Sequence, residues 1–346
     1  MKAVILAAGK STRTYPLTLS MPKPLLKISN KALIEHNLEQ LMDLVDEAMI
    51  VIGYRGEMIQ KYLGHRFGNI ELKYVEQKKQ LGTGHALLQA ESYIKGGRFL
   101  VMMGDDVYFR GDIRKCLKYD LAVMVKRVQN YQDFGIFTQK GDRILELQEK
   151  PKNYISDLAN TACYVFDNKI FGCLRKIKKS SRGELELTDG FNLLAKSEDI
   201  FSVEAKVWLP VSYPWNLLEA DQIIRDRDIK AGRNTVIKGE VTDSSVGKNC
   251  VIEGFVKNSI IGDNVIIHKD SVIEDSIIGN NVEFRGTVET APKVEIKVKG
   301  RVMKVENFGA AIGDSCRLKD VLLESGTLVW PKVVKKGKDL KGIVRK

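Results

Sequence analysis

The sequence predicts two domains in series: an open, mostly parallel α/β sheet over residues 1–230 and a parallel β-helix over residues 231–346. Three observations carry that expectation. Strand and helix patterns alternate as far as residue 230, the order that an α/β sheet requires. Beyond it, single aliphatic residues recur at six-residue steps beside small turn residues, the pattern of a coiled parallel sheet. The chain also opens on an apolar run, Ala3 to Ala8, that breaks at Gly9. A short continuous run of β-formers reads as a buried strand.

The elements follow in order. Ala32–Leu44 places Leu33, Ile34, Leu38, Leu41 and Leu44 at helical spacing, and Ala48–Gly53 is an apolar strand. Glu57–Leu63 reads as a short helix, Ile70–Gln77 as an alternating strand, and His85–Tyr93 as a helix introduced by Gly82-Thr83-Gly84. Arg98–Gly104 is a further buried strand that ends at Asp105 and Asp106. In an open sheet of this kind, ligands bind outside the carboxyl ends of strands. Gly9, Gly82 and Asp105 each follow a strand, so all three can meet at one rim. Leu121–Val128, Gly135–Gln139 and Arg143–Leu147 read as strands, the last two joined at Gly141-Asp142. Asn160–Phe166 and Phe201–Val207 are strands as well. Thr188–Ala195 reads as a helix capped by Thr188 with Asp189 in its first turn, and Trp215–Ile229 as a long amphipathic helix.

From residue 232 the period changes. Val246 and Ile252 lie six residues apart, as do Ile261, Ile267 and Ile273; Ile278 and Phe284 repeat the step after a one-residue slip. Gly247-Lys248-Asn249, Gly262-Asp263-Asn264 and Gly279-Asn280-Asn281 recur beside them. One inward aliphatic every six residues is the hexapeptide signature of a parallel β-helix. A chance run of antiparallel strands would not keep the same unit in phase. Val294–Val305 breaks the repeat and alternates about Gly300, as an inserted hairpin would; Ala311-Ile312-Gly313-Asp314 restores it.

Composition narrows the class. Apolar content of 44% and charged content of 29% are those of an ordinary water-soluble chain. No apolar run reaches the roughly 18 residues of a membrane span, and the immediate opening strand lacks the shape of a signal peptide. No membrane partner is expected. Five cysteines form no CxxC pair, which argues against structural zinc and a disulfide framework and for a reducing, cytoplasmic compartment. The net charge of +11 owes much to residues 331–346, where seven basic residues face Asp339 alone. That segment reads as a solvated basic tail. With no nucleic-acid motif beside it, the charge favours small anionic substrates rather than nucleic acid.

The chemistry lies in the first turn. Gly9 lets the backbone come close to a bound group; Ser11, Thr12 and Arg13 follow, and Lys23 sits between Pro22 and Pro24, which stiffen the chain on both sides. A strand end that offers backbone N–H groups beside two cations suits a polyphosphate. The GxxxxGK[ST] spacing of a Walker A loop is absent.

Leu6 to Arg13 with Pro22-Lys23-Pro24, Gly82-Thr83-Gly84, Gly104-Asp105 and Glu149-Lys150-Pro151 together resemble the sugar-1-phosphate nucleotidylyltransferases, whose signature reads LAAGxGTR…PKP. Ser11 replaces the usual second glycine. The likeness covers residues 1–230, and the hexapeptide region resembles the second domain of the bifunctional N-acetylglucosamine-1-phosphate uridylyltransferases. It implies a Rossmann-like nucleotide-diphospho-sugar transferase domain followed by a left-handed β-helix. It also implies that Arg13 grips the triphosphate, that Lys23 spans the two reacting phosphates, and that Asp105 holds Mg²⁺. Leu6, Ala8 and Gly9 would contact the nucleotide, while Gln77, Gly82 and Thr83 read its base. Gly135, Glu149, Lys150 and Asn160 would bind the sugar and its phosphate. The family's second metal ligand sits in a Trp-x-Asp-Val-Gly unit that here reads Trp208 to Ser212 with Pro210 at the ligand position, so Asn216 is the candidate replacement.

The expected partners are a nucleoside triphosphate (UTP or dTTP) and a sugar 1-phosphate, and the β-helix suggests a homo-oligomer, a trimer or a multiple of one. Two alternatives stay open: a non-catalytic binding or regulatory subunit, motivated by Pro210, and a bifunctional enzyme with added acetyltransferase activity. His85 and His268 read as structural and turn residues.

Overall fold

The computed structural model describes residues 1–226 and 229–345. The chain divides into two compact units, Met1–Gly9 with Ile34–Pro210, and Lys10–Leu33 with Val211–Lys346.

The first unit is built on a ten-stranded sheet. Its centre is parallel: Lys2–Ala7 pairs with Glu47–Ile52 on one side and Phe99–Met103 on the other, and Glu47–Ile52 pairs in turn with Ile70–Glu76. Parallel strands covered on both faces read as unbroken apolar runs. That is why Ala3, Val4 and Ile5 are fully buried. The other half mixes directions. Leu158–Phe166 runs antiparallel to both Phe99–Met103 and Ala122–Arg127, and Gly135–Lys140 and Arg143–Glu149 form a hairpin. Leu33–Leu41, Gly56–Leu63 and Thr83–Gln89 are the helices among the parallel strands. Two short helices, Arg110–Cys116 and Lys169–Leu174, had no strong periodic signal in the sequence.

The expected cap at Thr188 is corrected. The helix spans Leu187–Ala195 with Thr188 inside it, and the distant Thr83 hydroxyl accepts from the Leu187 N–H at 3.0 Å. A side chain far away in sequence supplies the cap, and no local pattern reports that.

In the second unit, three faces of parallel strands coil about one apolar core. Val246, Ile252, Ile261, Ile267, Ile273, Ile278 and Phe284 all point into it. Burying each such side chain contributes about 1.5–3 kcal/mol. Asn234, Asn249, Asn264 and Asn281 stack on successive coils, each in the left-handed conformation, and join side chain to side chain at 3.1–3.2 Å. Asparagine tolerates that conformation because its short amide can bond locally. Coils repeat every 15 residues at first and every 17 later. Val294–Val298 and Arg301–Val305 form the expected inserted hairpin, and Ala310–Ile312 rejoins the stack beside Ile277–Ile278.

The segment read as a solvated tail is instead the last coil. Val333, Leu340 and Val344 are buried in the core, while Lys335 and Arg317 belong to adjacent coils that pair in parallel. Alternating apolar residues within a basic stretch carried this information. The last helix of the sequence reading spans Pro214–Arg225 and stops at Asp226 in the left-handed conformation; the expected extension to Ile229 crosses residues 227 and 228, which lie outside the described residues.

Candidate active site

In the first unit the parallel strands bring several of the expected residues to their shared carboxyl ends. Leu6 is paired on both sides, with Val51 and Met103, and its carbonyl accepts from the Gly104 N–H at 2.9 Å. The Ala8 carbonyl accepts from Tyr54 N–H at 3.0 Å. A side chain at Gly53 would lie 2.6 Å from that oxygen, so glycine is needed there for the strand end to close. Asp105 directly follows Gly104, just past the end of the Phe99–Met103 strand.

Gln77 is held from the same rim. It is buried, its backbone N–H donates to Ile52 at 2.8 Å, and its amide nitrogen lies 3.0 Å from both the Gly82 carbonyl and His85 Nδ1. The amide nitrogen is a donor, so His85 accepts at Nδ1 and carries its proton on Nε2 when neutral. Burial lowers the His85 pKa and favours that neutral ring. His85 therefore orients Gln77, a role its sequence position did not reveal; the signal was a Gln and a His flanking the Gly-Thr-Gly turn.

That turn requires Gly82. Its φ is +108°, and a Cβ would lie 2.6 Å from the Leu185 carbonyl. The turn is strapped to the segment before the Leu187–Ala195 helix, with Gly84 N–H donating to Leu185 O at 2.8 Å.

The expected sugar-side residues also converge. Gly135 pairs with Glu149 across the hairpin, and a Cβ on Gly135 would stand 3.1 Å from Glu149 Oε2 and 3.7 Å from Asn160 Cβ. Asn160 opens a bulge in its strand: its Oδ1 accepts from Ala162 N–H at 2.9 Å, and its Nδ2 donates to Tyr164 OH at 2.7 Å. Bulges of this kind re-aim side chains at functional sites. Lys150 adopts φ +48°, and its N–H donates to Phe134 O at 2.9 Å. Arg182, absent from the sequence reading, reaches Glu186 at 3.0 Å and Glu149 at 3.8 Å.

Arg13 and Lys23 lie in the second unit with the loop that carries them. Ser11 takes φ +48°, the conformation a glycine would supply, and its carbonyl accepts from both the Thr14 and Thr18 hydroxyls at 2.8 Å. Two buried hydroxyls thus hold a serine where the family signature has glycine. Lys23 opens a single 3-10 turn, Lys23–Leu25, and only 6% of it is exposed. Arg13 is exposed and stands over the Tyr213 ring at 5.7 Å.

Asn216 is used differently from the expectation. Its Oδ1 accepts from the Ser212 and Tyr213 N–H groups at 3.1 and 3.0 Å, which closes the start of the Pro214–Arg225 helix. An amide oxygen with two backbone donors is already saturated, so holding a metal would require it to release the cap. Among the described residues no cluster of three or more His, Cys, Asp or Glu side chains could hold a metal ion. One carboxylate with phosphate oxygens and water fits Mg²⁺, whereas zinc takes three or four His, Cys or carboxylate ligands from the protein.

A depression of about 980 Å³ in the first unit lies elsewhere, among Arg98, Tyr119, Asp167, Lys169 and Phe201. Two of its cations are paired, Lys169 with Glu198 at 2.8 Å and Arg98 with Asp120 at 3.4 Å.

Residues 2–227 match the family Nucleotidyl transferase. The chain belongs to that family. Residues 230–294 of this nucleotidyl transferase match the family GlmU-like, C-terminal hexapeptide. Bifunctional protein GlmU of Methanocaldococcus jannaschii is 41% identical over 248 residues, covering 70% of this chain and 60% of that protein. The chain thus spans about three fifths of that relative's length. UTP–glucose-1-phosphate uridylyltransferase AglF of Haloferax volcanii is 32% identical over 67% of this chain and 99% of its own. Among solved structures, a protein of Bacillus anthracis assigned as a glucose-1-phosphate thymidylyltransferase superposes with a TM-score of 0.60 at 29% identity, covering 66% of this chain and 96% of that one. Nucleotidyl transferases of this family generally use a divalent metal. Among the described residues no helix is long and apolar enough to cross a membrane.

Proposed function

We propose that this protein joins a nucleoside triphosphate to a sugar 1-phosphate, giving a nucleotide sugar and pyrophosphate. The observation that carries the reading is the loop after the first strand, with Ser11 locked in a glycine-like conformation and Lys23 buried between two prolines. A sugar 1-phosphate is largely dianionic at neutral pH, since its second pKa is about 6. Its oxygen can attack the α-phosphorus directly as the bond to pyrophosphate breaks. No general base or protein nucleophile is required. The protein's task is neutralisation and in-line placement. Arg13 would grip the triphosphate, and Lys23 would span the attacked and attacking phosphates. Asp105 would hold Mg²⁺, whose contribution is charge neutralisation at phosphate oxygens. Leu6, Ala8 and Gly9 would seat the nucleotide, and Gln77 with the Gly82-Thr83 turn would read uracil or thymine. Glu149 and Asn160 would take sugar hydroxyls, Gly135 leaving them room, and Lys150 the sugar phosphate.

Pyrophosphate release on mixing UTP or dTTP with glucose 1-phosphate or N-acetylglucosamine 1-phosphate tests the reading. Nucleotide binding without release from any pair would overturn it in favour of a regulatory subunit. The five free cysteines suit a cytoplasmic enzyme. Val236, Val251 and Ile266 align on successive coils, with Val236 and Ile266 exposed, which supports self-association through the β-helix. Sedimentation as a monomer at micromolar concentration would count against that.

Acetyl transfer is a second reading, favoured by one cluster. His268 Nε2 lies 3.0 Å from Glu283 Oε1, and Lys319 reaches the same oxygen at 2.9 Å. A carboxylate-backed imidazole suits a general base. Acetyl-CoA consumed with glucosamine 1-phosphate is the outcome it requires.

A further inference from the structure

The loop that carries Arg13 and Lys23 is fastened to the turns of the β-helix. Ser20 Oγ donates to Asp314 Oδ2 at 2.7 Å, and Lys27 Nζ meets Asp263 Oδ2 at 2.8 Å. Where the loop reverses at Ser29 and Asn30, both left-handed, Ser29 N–H donates to Asp221 Oδ1 at 2.6 Å. Asn30 Nδ2 donates to the carbonyls of Lys230 and Val246 at 3.0 and 2.9 Å.

Asp263 and Asp314 occupy the turn position that follows the stacked glycines. Each spends its other oxygen within the helix: Asp263 Oδ1 accepts from Lys248 N–H at 3.1 Å, and Asp314 Oδ1 from Asn280 N–H at 2.7 Å. Asn280 holds the same turn position and does the same job with its amide oxygen, accepting from Asp263 N–H at 2.8 Å. One oxygen is therefore all that the coil requires. The second carboxylate oxygen of Asp263 and of Asp314 is surplus to the repeat, and both surplus oxygens face the loop.

We infer that Asp263 and Asp314 are positioning residues for nucleotidyl transfer, holding the loop so that Arg13 and Lys23 are preorganised; this rests on the function proposed above. A tethered loop presents its cations without first paying the entropy of ordering them.

The test is the double variant Asp263→Asn with Ser20→Ala in the full chain. The asparagine keeps an oxygen for Lys248 N–H but turns an NH₂ toward the Lys27 ammonium, and the alanine leaves the coil untouched. Amide exchange of residues 10–33 should quicken by about 10-fold and kcat should fall by a similar factor, with KM and the melting midpoint little changed. Lys27→Met, made from the loop side, should match Asp263→Asn alone and add little to it, because both remove the same contact. Unchanged exchange and kcat would overturn the inference, as would a kcat loss accompanied by an equal loss of stability. Absence of pyrophosphate release from the unmutated protein would overturn the underlying function instead, while the exchange measurement would still decide whether these carboxylates tether the loop.

Discussion

The α/β unit and the β-helix both depend on glycine at sharp turns, and they use it for different ends. Gly247, Gly262 and Gly279 stack coil upon coil, where a Cβ would lie 2.5–2.7 Å from the next turn. Their purpose is close approach of one identical turn to another. In the α/β unit Gly82 and Gly135 have no such counterpart. Gly82 makes room for the Leu185 backbone beside Gln77, and Gly135 leaves space beside Glu149 and Asn160. A repeated glycine thus marks architecture, whereas a solitary glycine at a strand end marks a place where another group must fit.

That contrast predicts different consequences of substitution. The largest belong to the unrepeated residues proposed to carry the chemistry. If Asp105 holds the metal as proposed, Asp105→Ala should lower metal-dependent turnover by about 10³-fold; pyrophosphate release titrated against Mg²⁺ measures it. Lys23→Ala should cost about 10²- to 10³-fold in kcat with a smaller change in KM, since it removes charge stabilisation that grows in the transition state. Steady-state kinetics of the two variants with one substrate pair would separate these effects, and normal turnover in either would remove that residue from the mechanism.

In the repeat, Gly262→Ala should destabilise by about 1–3 kcal/mol through overpacking against the Gly279 backbone 2.7 Å away. Urea unfolding reads that cost. A neutral result would show that the stacked turns can spread apart.

The smallest effect concerns pH. Burial lowers the His85 pKa below its unfolded value, so the unfolded chain binds the proton first as pH falls. The stability due to neutral His85 is complete above the unfolded pKa of about 6.5 and declines as pH drops below it toward the folded value. Replacing His85 with Gln should flatten that part of the stability profile. Base selectivity in the same variant would report whether Gln77 has lost its orientation.

Regions differ in legibility for the same reason. The β-helix core was readable because its aliphatics obey a short period, yet the same reasoning took the final coil for a tail: Lys332, Lys335 and Lys336 outweighed Val333, Leu340 and Val344 in any count of charge. The proposed roles of Gln77, Gly82, Gly135, Glu149 and Asn160 were suggested by motif resemblance. Their supports were not: His85 behind Gln77, Tyr164 behind Asn160 and Arg182 beside Glu149 belong to no motif. The Asn216 side chain shows the converse, since a residue type able to bind metal is spent on a helix cap.

The sequence alone determined the strand–helix alternation, the inward aliphatics of the coils and the signature residues, because each is written in local spacing and residue type. Tertiary structure decided which oxygen of Asp263 and Asp314 serves the coil and which the loop, how Ser11 is kept in a glycine-like conformation, and that Thr83 caps a helix more than a hundred residues away. Those outcomes depend on donors and acceptors meeting across long stretches of chain, and periodicity carries no information about which partners will be within reach.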